Sequence, residues 1–95
     1  MAVLIQLHMS PSAQELFDDL DSRVGESMAS AGGPPAGLMS HVAYPEDGGF
    51  VIADVWRTEQ EGRTYIDEVL TPLLLEVGLT LREISARPVW SFARP

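Results

Sequence analysis

The sequence predicts one α+β domain with the element order βαββαβ, in which a four-stranded antiparallel sheet carries two helices on one face. Three observations lead to this prediction. The chain has 95 residues, which suits one domain and not two. Four extended apolar segments are separated by two segments with helical periodicity. The second and third extended segments are joined by turn-forming residues, which is typical of a hairpin.

The first strand and the first helix meet at a serine–proline pair. Residues 2–9 are apolar and partly β-branched, which predicts a strand. We expect a helix over about residues 11–29, because Pro11 follows a serine and proline is favoured at the first helical position. A capping box at residues 12–15 offers an alternative start slightly later in the chain.

A glycine- and proline-rich loop at residues 29–36 separates this helix from the hairpin, and its composition would suit a mobile flap. Residues 37–44 predict one strand of the hairpin, and residues 50–57 predict the other. Between them, residues 45–49 read Pro-Glu-Asp-Gly-Gly, which is the turn chemistry that such a connection needs.

The second helix has the clearest start signal in the chain, a capping box at residues 58–61. An apolar stripe continues over residues 65–77, and Gly78 can cap the C-terminus. Pro72 lies inside this stripe and lacks the amide that an α-helix needs, so we expect the helix to kink or restart just before it. Residues 79–92 are extended again, with a break at a proline.

The third strand has two apolar faces. The first face is Phe50, Ile52, Asp54 and Trp56, and the second is Gly49, Val51, Ala53 and Val55. Two helices can cover only one face of a four-stranded sheet, and an exposed apolar face is typical of an interface. We therefore predict a homodimer that forms through the open face of the sheet.

The composition argues against several classes of function. The chain has 6 basic and 14 acidic residues, a formal net charge of -8, so we expect neither nucleic-acid binding nor attraction to an anionic membrane. It has no cysteine, which removes disulfides and thiolate chemistry. The two histidines lack metal-ligand spacing, and no phosphate loop or serine elbow is present. We expect a cytoplasmic protein without signal peptide, membrane span, metal or cofactor.

Two ionisable residues on neighbouring strands are the candidates for catalysis. His41 shares a strand face with Met39 and Ala43, where it would act either as a general acid–base group or as a structural hydrogen-bonding residue. Asp54 lies on an apolar face, where a carboxylate must be paired, protonated or functional because its burial is costly. A pair with His41 would orient the imidazole, whereas a salt bridge to an arginine would be structural.

Aromatic side chains either fill a core or line a pocket. Phe50, Ile52 and Trp56 share the strand face of Asp54, and together with Tyr65 they are the candidate substrate-binding residues. Tyr65 is the best candidate among the aromatic residues, because a buried hydroxyl needs a hydrogen-bond partner.

A series of short motifs runs through residues 37–92. They are His41-Val42-Ala43, Gly48-Gly49-Phe50, Asp54-Val55-Trp56 followed by Thr58, Leu70-Thr71-Pro72, Gly78 and Arg87-Pro88-Val89-Trp90. In these motifs the chain resembles the dimeric α+β barrel superfamily, the ferredoxin-like fold that includes the antibiotic-biosynthesis monooxygenase-like proteins. The resemblance extends to small bacterial members of uncharacterised role. It implies a ferredoxin-like homodimer with a pocket between the sheet and the helices of each subunit.

Members of this superfamily include cofactor-free oxygenases acting on polycyclic phenols, haem-degrading enzymes, isomerases, dehydratases and cyclases. The resemblance implies that Trp56 lines the pocket, as a tryptophan does in the oxygenases. Ile52 stands where those oxygenases have asparagine, and residues 59–78 contain no histidine that could ligate haem iron.

The resemblance therefore implies a cofactor-independent cyclase, isomerase or monooxygenase-like enzyme that acts on a hydrophobic, aromatic or polyketide-like metabolite. In such an enzyme His41 and Asp54 would transfer the proton. A non-catalytic ligand-binding or accessory homodimer is the alternative.

Overall fold

A computed structural model describes residues 1–92, and its elements follow the predicted βαββαβ order. The elements are β1 (Val3–Ser10), α1 (Gln14–Ser30), β2 (Leu38–Glu46), β3 (Gly49–Trp56), α2 (Glu59–Tyr65), a π-helical turn (Ile66–Leu70), α3 (Thr71–Val77) and β4 (Thr80–Pro88). The strands form one antiparallel sheet in the order β2-β3-β1-β4. The helices cover one face of this sheet, so the predicted ferredoxin-like architecture is confirmed.

Helix α1 begins later than predicted. It starts at Gln14, with Ala13 in extended conformation as the N-cap residue and no side chain capping it. The predicted start at Pro11 is wrong, and so is the alternative capping box at residues 12–15. The reason is that β1 continues to Ser10, which still pairs with β4. The residues that follow Ser10 are therefore needed to turn the chain onto the face of the sheet.

Pro72 is accommodated by a widened helical turn. Helix α2 ends at Tyr65, the π-helical turn follows, and the amide of Thr71 donates to the carbonyl of Ile66 five residues earlier. Pro72 then occupies the first turn of α3, where no amide is required. The predicted restart of the helix before Pro72 is confirmed, and the π-helical turn is the way in which the chain achieves it.

The core lies between the covered face of the sheet and the helices. Its buried residues are Val3, Ile5, Leu7, Met9, Leu20, Phe50, Ile52, Trp56, Ile66, Leu70, Leu74 and Leu79. Gly62 brings the backbone of α2 directly onto this layer. A Cβ at Gly62 would lie 2.6 Å from Cδ1 of Ile5 and 2.9 Å from Cδ1 of Trp56. This close approach explains why Trp56 is only 1% exposed.

A bulge interrupts the side-chain alternation of β2. Leu38 and Ser40 pair with two consecutive residues of β3, which leaves Met39 as the extra residue. Leu38 therefore shares the covered face with His41, and the predicted grouping of Met39 with His41 is wrong. Strict alternation cannot anticipate a bulge, because the apolar residues around it suit either face.

The open face of the sheet is more polar than predicted. Two side-chain pairs from β1 and β2 cross over the intervening β3. Gln6 Nε2 donates to the Tyr44 hydroxyl at 3.3 Å, and His8 Nδ1 lies 3.0 Å from Oε2 of Glu46. Val51 pairs with His8 and Tyr44 in the sheet and is fully buried within the chain. The open face therefore combines the predicted apolar residues of β3 with polar pairs from the two flanking strands.

An apolar end remains on the open face, consisting of Leu4, Val42, Ala53 and Val55. The strand register makes these residues neighbours. Val42 is the most open of them, at 54% exposed. Trp90, which follows the last strand, is 95% exposed. Among residues 1–92, no helix is long and apolar enough to cross a bilayer.

Candidate functional site

A cavity of about 320 Å³ lies between the covered face of the sheet and helix α1. Its wall is mainly apolar and includes a few convergent polar groups. The lining residues are Asp21, Val24, Gly25, Met28, Pro34, Leu38, His41, Ile52, Asp54, Tyr65 and Leu70. Four of the six residues predicted for the site therefore line one cavity, namely His41, Asp54, Ile52 and Tyr65.

His41 and Asp54 form a hydrogen-bonded pair in the cavity wall. They lie opposite each other on β2 and β3, and Nδ1 of His41 is 2.6 Å from Oδ1 of Asp54. The side chain of Asp54 is 11% exposed, whereas that of His41 is 47% exposed. The buried carboxylate is thus paired with a histidine and not with an arginine. Their predicted catalytic roles remain a prediction, but the geometry that those roles require is present.

The environment of His41 favours its charged form. The hydrogen bond that His41 donates to Asp54 raises the pKa of His41, partial burial lowers it, and the charges of Asp54 and Asp21 raise it further. The net result is a pKa above the ordinary value. Because Nδ1 is bound to Asp54, Nε2 is the ring nitrogen left to exchange a proton with a ligand.

Tyr65 places a protonated hydroxyl beside this pair. Burial, and then the charge of Asp54, raise the pKa of Tyr65 above its ordinary value. The hydroxyl oxygen is buried and has no hydrogen-bond partner among residues 1–92. A buried hydroxyl without a partner is unfavourable, and Tyr65 is among the residues that line the cavity.

The structure does not bring Phe50 or Trp56 to this cavity. Trp56 lies beneath Gly62 in the core and reaches the site only through Tyr65, whose ring centroid is 5.6 Å away. Phe50 packs edge to face on Phe17, with centroids 5.2 Å apart, and lines a smaller cavity of about 190 Å³. Direct contact of either residue with a ligand held by His41 is therefore not supported.

Helix α1 supplies four lining residues that the sequence reasoning missed. Asp21, Val24, Gly25 and Met28 are spaced so that they share one face of the helix. The available signal was Gly25, since a glycine within a helix costs about 1 kcal/mol relative to alanine. A Cβ placed on Gly25 would meet no atom within 4 Å, so its missing side chain leaves open space in the cavity wall.

No group of three or more histidine or acidic side chains within residues 1–92 is arranged to hold a metal ion. The polar side-chain groups of the cavity wall are the imidazole of His41, the carboxylates of Asp21 and Asp54, and the phenol of Tyr65. These groups can exchange protons and donate hydrogen bonds, which is sufficient for acid–base chemistry.

No protein-family model and no curated protein sequence matches the chain. Solved structures do match it. SnoaB, a cofactor-independent oxygenase from Streptomyces nogalater, superposes with a TM-score of 0.63 at 16% identity, covering 96% of this chain and 93% of SnoaB. A protein of unknown function from Nitrosomonas europaea gives 0.66 at 19% identity, covering 99% of this chain and 92% of that one.

A candidate antibiotic biosynthesis monooxygenase from Deinococcus radiodurans gives a TM-score of 0.62 at 16% identity, covering 100% of this chain and 98% of that one. Identities at this level establish the fold and leave the activity open. The chain therefore has the ferredoxin-like fold of the antibiotic biosynthesis monooxygenase-like proteins.

Proposed function

We propose that this chain is a homodimeric protein that binds a hydrophobic, aromatic or polyketide-like small molecule and rearranges it by proton transfer, without a cofactor. The observation that carries the proposal is the 2.6 Å hydrogen bond between His41 and Asp54 in the wall of a cavity of about 320 Å³. A cavity of that volume lies at the lower end of the range for small-molecule sites.

The proposed chemistry is a cyclisation or an isomerisation through an enolate. In the neutral form of His41, Nε2 removes a proton from the carbon next to a carbonyl group, and Asp54 stabilises the imidazolium that forms. The hydroxyl of Tyr65 donates a hydrogen bond to the enolate oxygen. The imidazolium then returns the proton to a different atom of the same molecule, so the reaction needs no oxidant and no reductant.

Two features favour rearrangement over oxygenation. Ile52 contributes no polar group to the cavity, where the resemblance leads one to expect an asparagine. The hydrogen-bonded pair of His41 and Asp54, by contrast, is present in the cavity wall. The likeness to SnoaB supports a monooxygenase-like use of the fold, and we therefore keep oxygenation as an outcome that the experiment distinguishes.

The homodimer is supported by the apolar end of the open face. Leu4, Val42, Ala53 and Val55 are contiguous and have no helix over them, while the rest of that face is crossed by polar pairs. Apolar patches rimmed by polar residues are typical of interfaces. A symmetric contact of this patch with its copy in a second chain would remove it from water.

The test uses anthrone, a planar tricyclic ketone with an acidic methylene group. The protein is incubated with anthrone in deuterated buffer without oxygen, and exchange of the methylene hydrogens is followed by NMR. We expect the wild-type protein to accelerate the exchange, and the Asp54→Asn variant to lose at least about 100-fold of that acceleration. In air, formation of anthraquinone faster than in buffer without the protein would indicate oxygenation instead.

The matched control is Glu46→Gln, which removes the acid of the histidine–carboxylate pair on the open face. It should leave the exchange rate unchanged. If the wild-type protein binds anthrone without accelerating exchange or oxidation, the catalytic part of the proposal is refuted.

The alternative function is a non-catalytic ligand-binding or accessory homodimer. One observation favours it: the bond from His41 satisfies a nearly buried carboxylate, which is reason enough for the pair to exist. In that case Asp54→Asn and the wild-type protein should bind anthrone with similar affinity, and neither should change it.

A further inference from the structure

The wall of the cavity is negatively charged. It contains the carboxylates of Asp21 and Asp54, and among the described residues that line it there is no lysine or arginine. Asp54 is bound to His41, so a protonated imidazole would balance its charge. Asp21 has no such partner in the wall, and its carboxylate is close enough to contribute to the electrostatic environment of His41.

The nearest arginine on the same helix does not neutralise Asp21. Arg23 donates from Nε to Asp19 and from Nη1 to Glu76, both at 3.0 Å. Its guanidinium group therefore links α1 to α3 and is not part of the cavity wall. Whichever protonation state His41 adopts, the polar groups of the wall keep a net negative charge.

We propose that Asp21 makes this cavity select its ligand by charge, so that a flat hydrophobic molecule carrying an ammonium group binds more tightly than its neutral analogue, and a carboxylate binds least. The inference rests on the proposed pocket and narrows its substrate class. Asp21 is exposed, so an ammonium group near it gains a Coulomb attraction that solvent partly screens, whereas an anion meets repulsion. Among the described residues of the wall, His41 is the one side chain that can become cationic, and it is already paired with Asp54.

The test compares three probes that share one naphthalene ring: 2-naphthylmethylamine, 2-naphthylmethanol and 2-naphthoate. Their dissociation constants are measured by calorimetry at neutral pH and low salt. We expect the amine to bind about threefold more tightly than the alcohol, and the alcohol about threefold more tightly than the carboxylate, because Asp21 is exposed to solvent. Added salt should reduce both ratios, since it screens partly exposed charges.

The deciding variant is Asp21→Asn, which keeps the shape of the side chain and removes its charge. It should lower the ratio of amine to carboxylate affinity by about threefold and leave the alcohol within about twofold of its wild-type affinity. The control is Asp67→Asn, which removes one charge from an exposed residue that does not line the cavity. The control should keep the wild-type ratio.

Each other outcome overturns a defined part of the argument. Equal affinity of the wild-type protein for all three probes would overturn charge selection and leave the pocket standing. An equal fall of the ratio in both variants would show that net charge acts, and not Asp21. Failure of every probe to bind at millimolar concentration would overturn the pocket and, with it, this inference.

Discussion

Each face of the sheet carries one histidine–carboxylate pair, and the two pairs differ in what surrounds them. On the covered face, the side chain of Asp54 is 11% exposed and its partner His41 adjoins the cavity. On the open face, the side chains of His8 and Glu46 are 26% and 33% exposed, and their bond passes over β3. The residue types match, but only the covered face combines a nearly buried acid with space for a ligand.

A hydrogen bond between histidine and a carboxylate therefore has different consequences on the two faces of the sheet. A nearly buried carboxylate must have a partner, because leaving it unpaired is strongly unfavourable. A surface pair contributes only about 0–1 kcal/mol, and the main effect of the pair on the open face is to cover Val51. A histidine beside an acid is therefore a candidate for catalysis only where the fold also leaves a cavity.

The largest change in stability is expected from a substitution that disrupts the packing of the covered face. Gly62→Ala would place a methyl group within 3 Å of both Ile5 and Trp56. Because both residues are almost fully buried in the core, we expect a loss of about 3 kcal/mol in the free energy of unfolding, measured by urea denaturation.

Gly25→Ala is the matched control for this substitution, because its new methyl group meets no atom within 4 Å. It should stabilise the protein by up to about 1 kcal/mol, since alanine is the better helix former. The comparison fails if the two alanine variants change stability by the same amount.

The next effect concerns the apolar end of the open face. Val42→Lys would place an ammonium group in the proposed dimer contact, where it cannot be solvated. We expect the dissociation constant of the dimer to rise at least about thirtyfold, or about 2 kcal/mol, by analytical ultracentrifugation. Leu75→Lys, at an apolar residue of α3 that is 75% exposed, is the control and should not change assembly. A wild-type protein that stays monomeric at high concentration would refute the dimer.

Sequence reasoning predicted the covered face well because period-two alternation is strong there. Alternation alone groups Phe50, Ile52, Asp54 and Trp56 on one face of β3, and the structure shows that the helices cover this face. The pairing of Asp54 with His41 was one of the open alternatives. It needed the hairpin register, which the two-residue turn at Asp47 and Gly48 fixes, so that His41 lies opposite Asp54.

Features that depend on the meeting of distant segments could not be predicted. The polar cover of the open face requires β1 and β2 to flank β3, and no local pattern shows that Gln6 reaches Tyr44. The burial of Trp56 depends on Gly62 in a later helix. The bulge at Met39 and the cavity face of α1 likewise appear only when the segments are packed together.

A smaller effect is expected in the pH dependence of stability that the pair on the covered face produces. The pKa of His41 is raised in the folded protein, so its pair stabilises the fold fully below the ordinary value of about 6.5. That contribution is lost as the pH rises through the raised pKa. We therefore expect the stability advantage of the wild-type protein over His41→Gln to be greater at about pH 6 than at about pH 8.

The measurement is urea denaturation at a series of pH values, and the effect should be modest because half of the imidazole side chain is exposed. His8→Gln is the control, because it removes the histidine of the open face and leaves the pair in the cavity intact. If His41→Gln and the wild-type protein show the same dependence on pH, the raised pKa of His41 makes no contribution to stability.

The smallest expected change in stability is that of Tyr65→Phe. The hydroxyl of Tyr65 is buried without a partner among residues 1–92, so its removal breaks no hydrogen bond within that part of the chain. We expect the free energy of unfolding to stay within about 0.5 kcal/mol of the wild-type value. Binding of anthrone should nevertheless weaken about fivefold, because the ketone oxygen loses the donor proposed for it. If stability falls while affinity is unchanged, Tyr65 serves the core of the covered face and not its cavity.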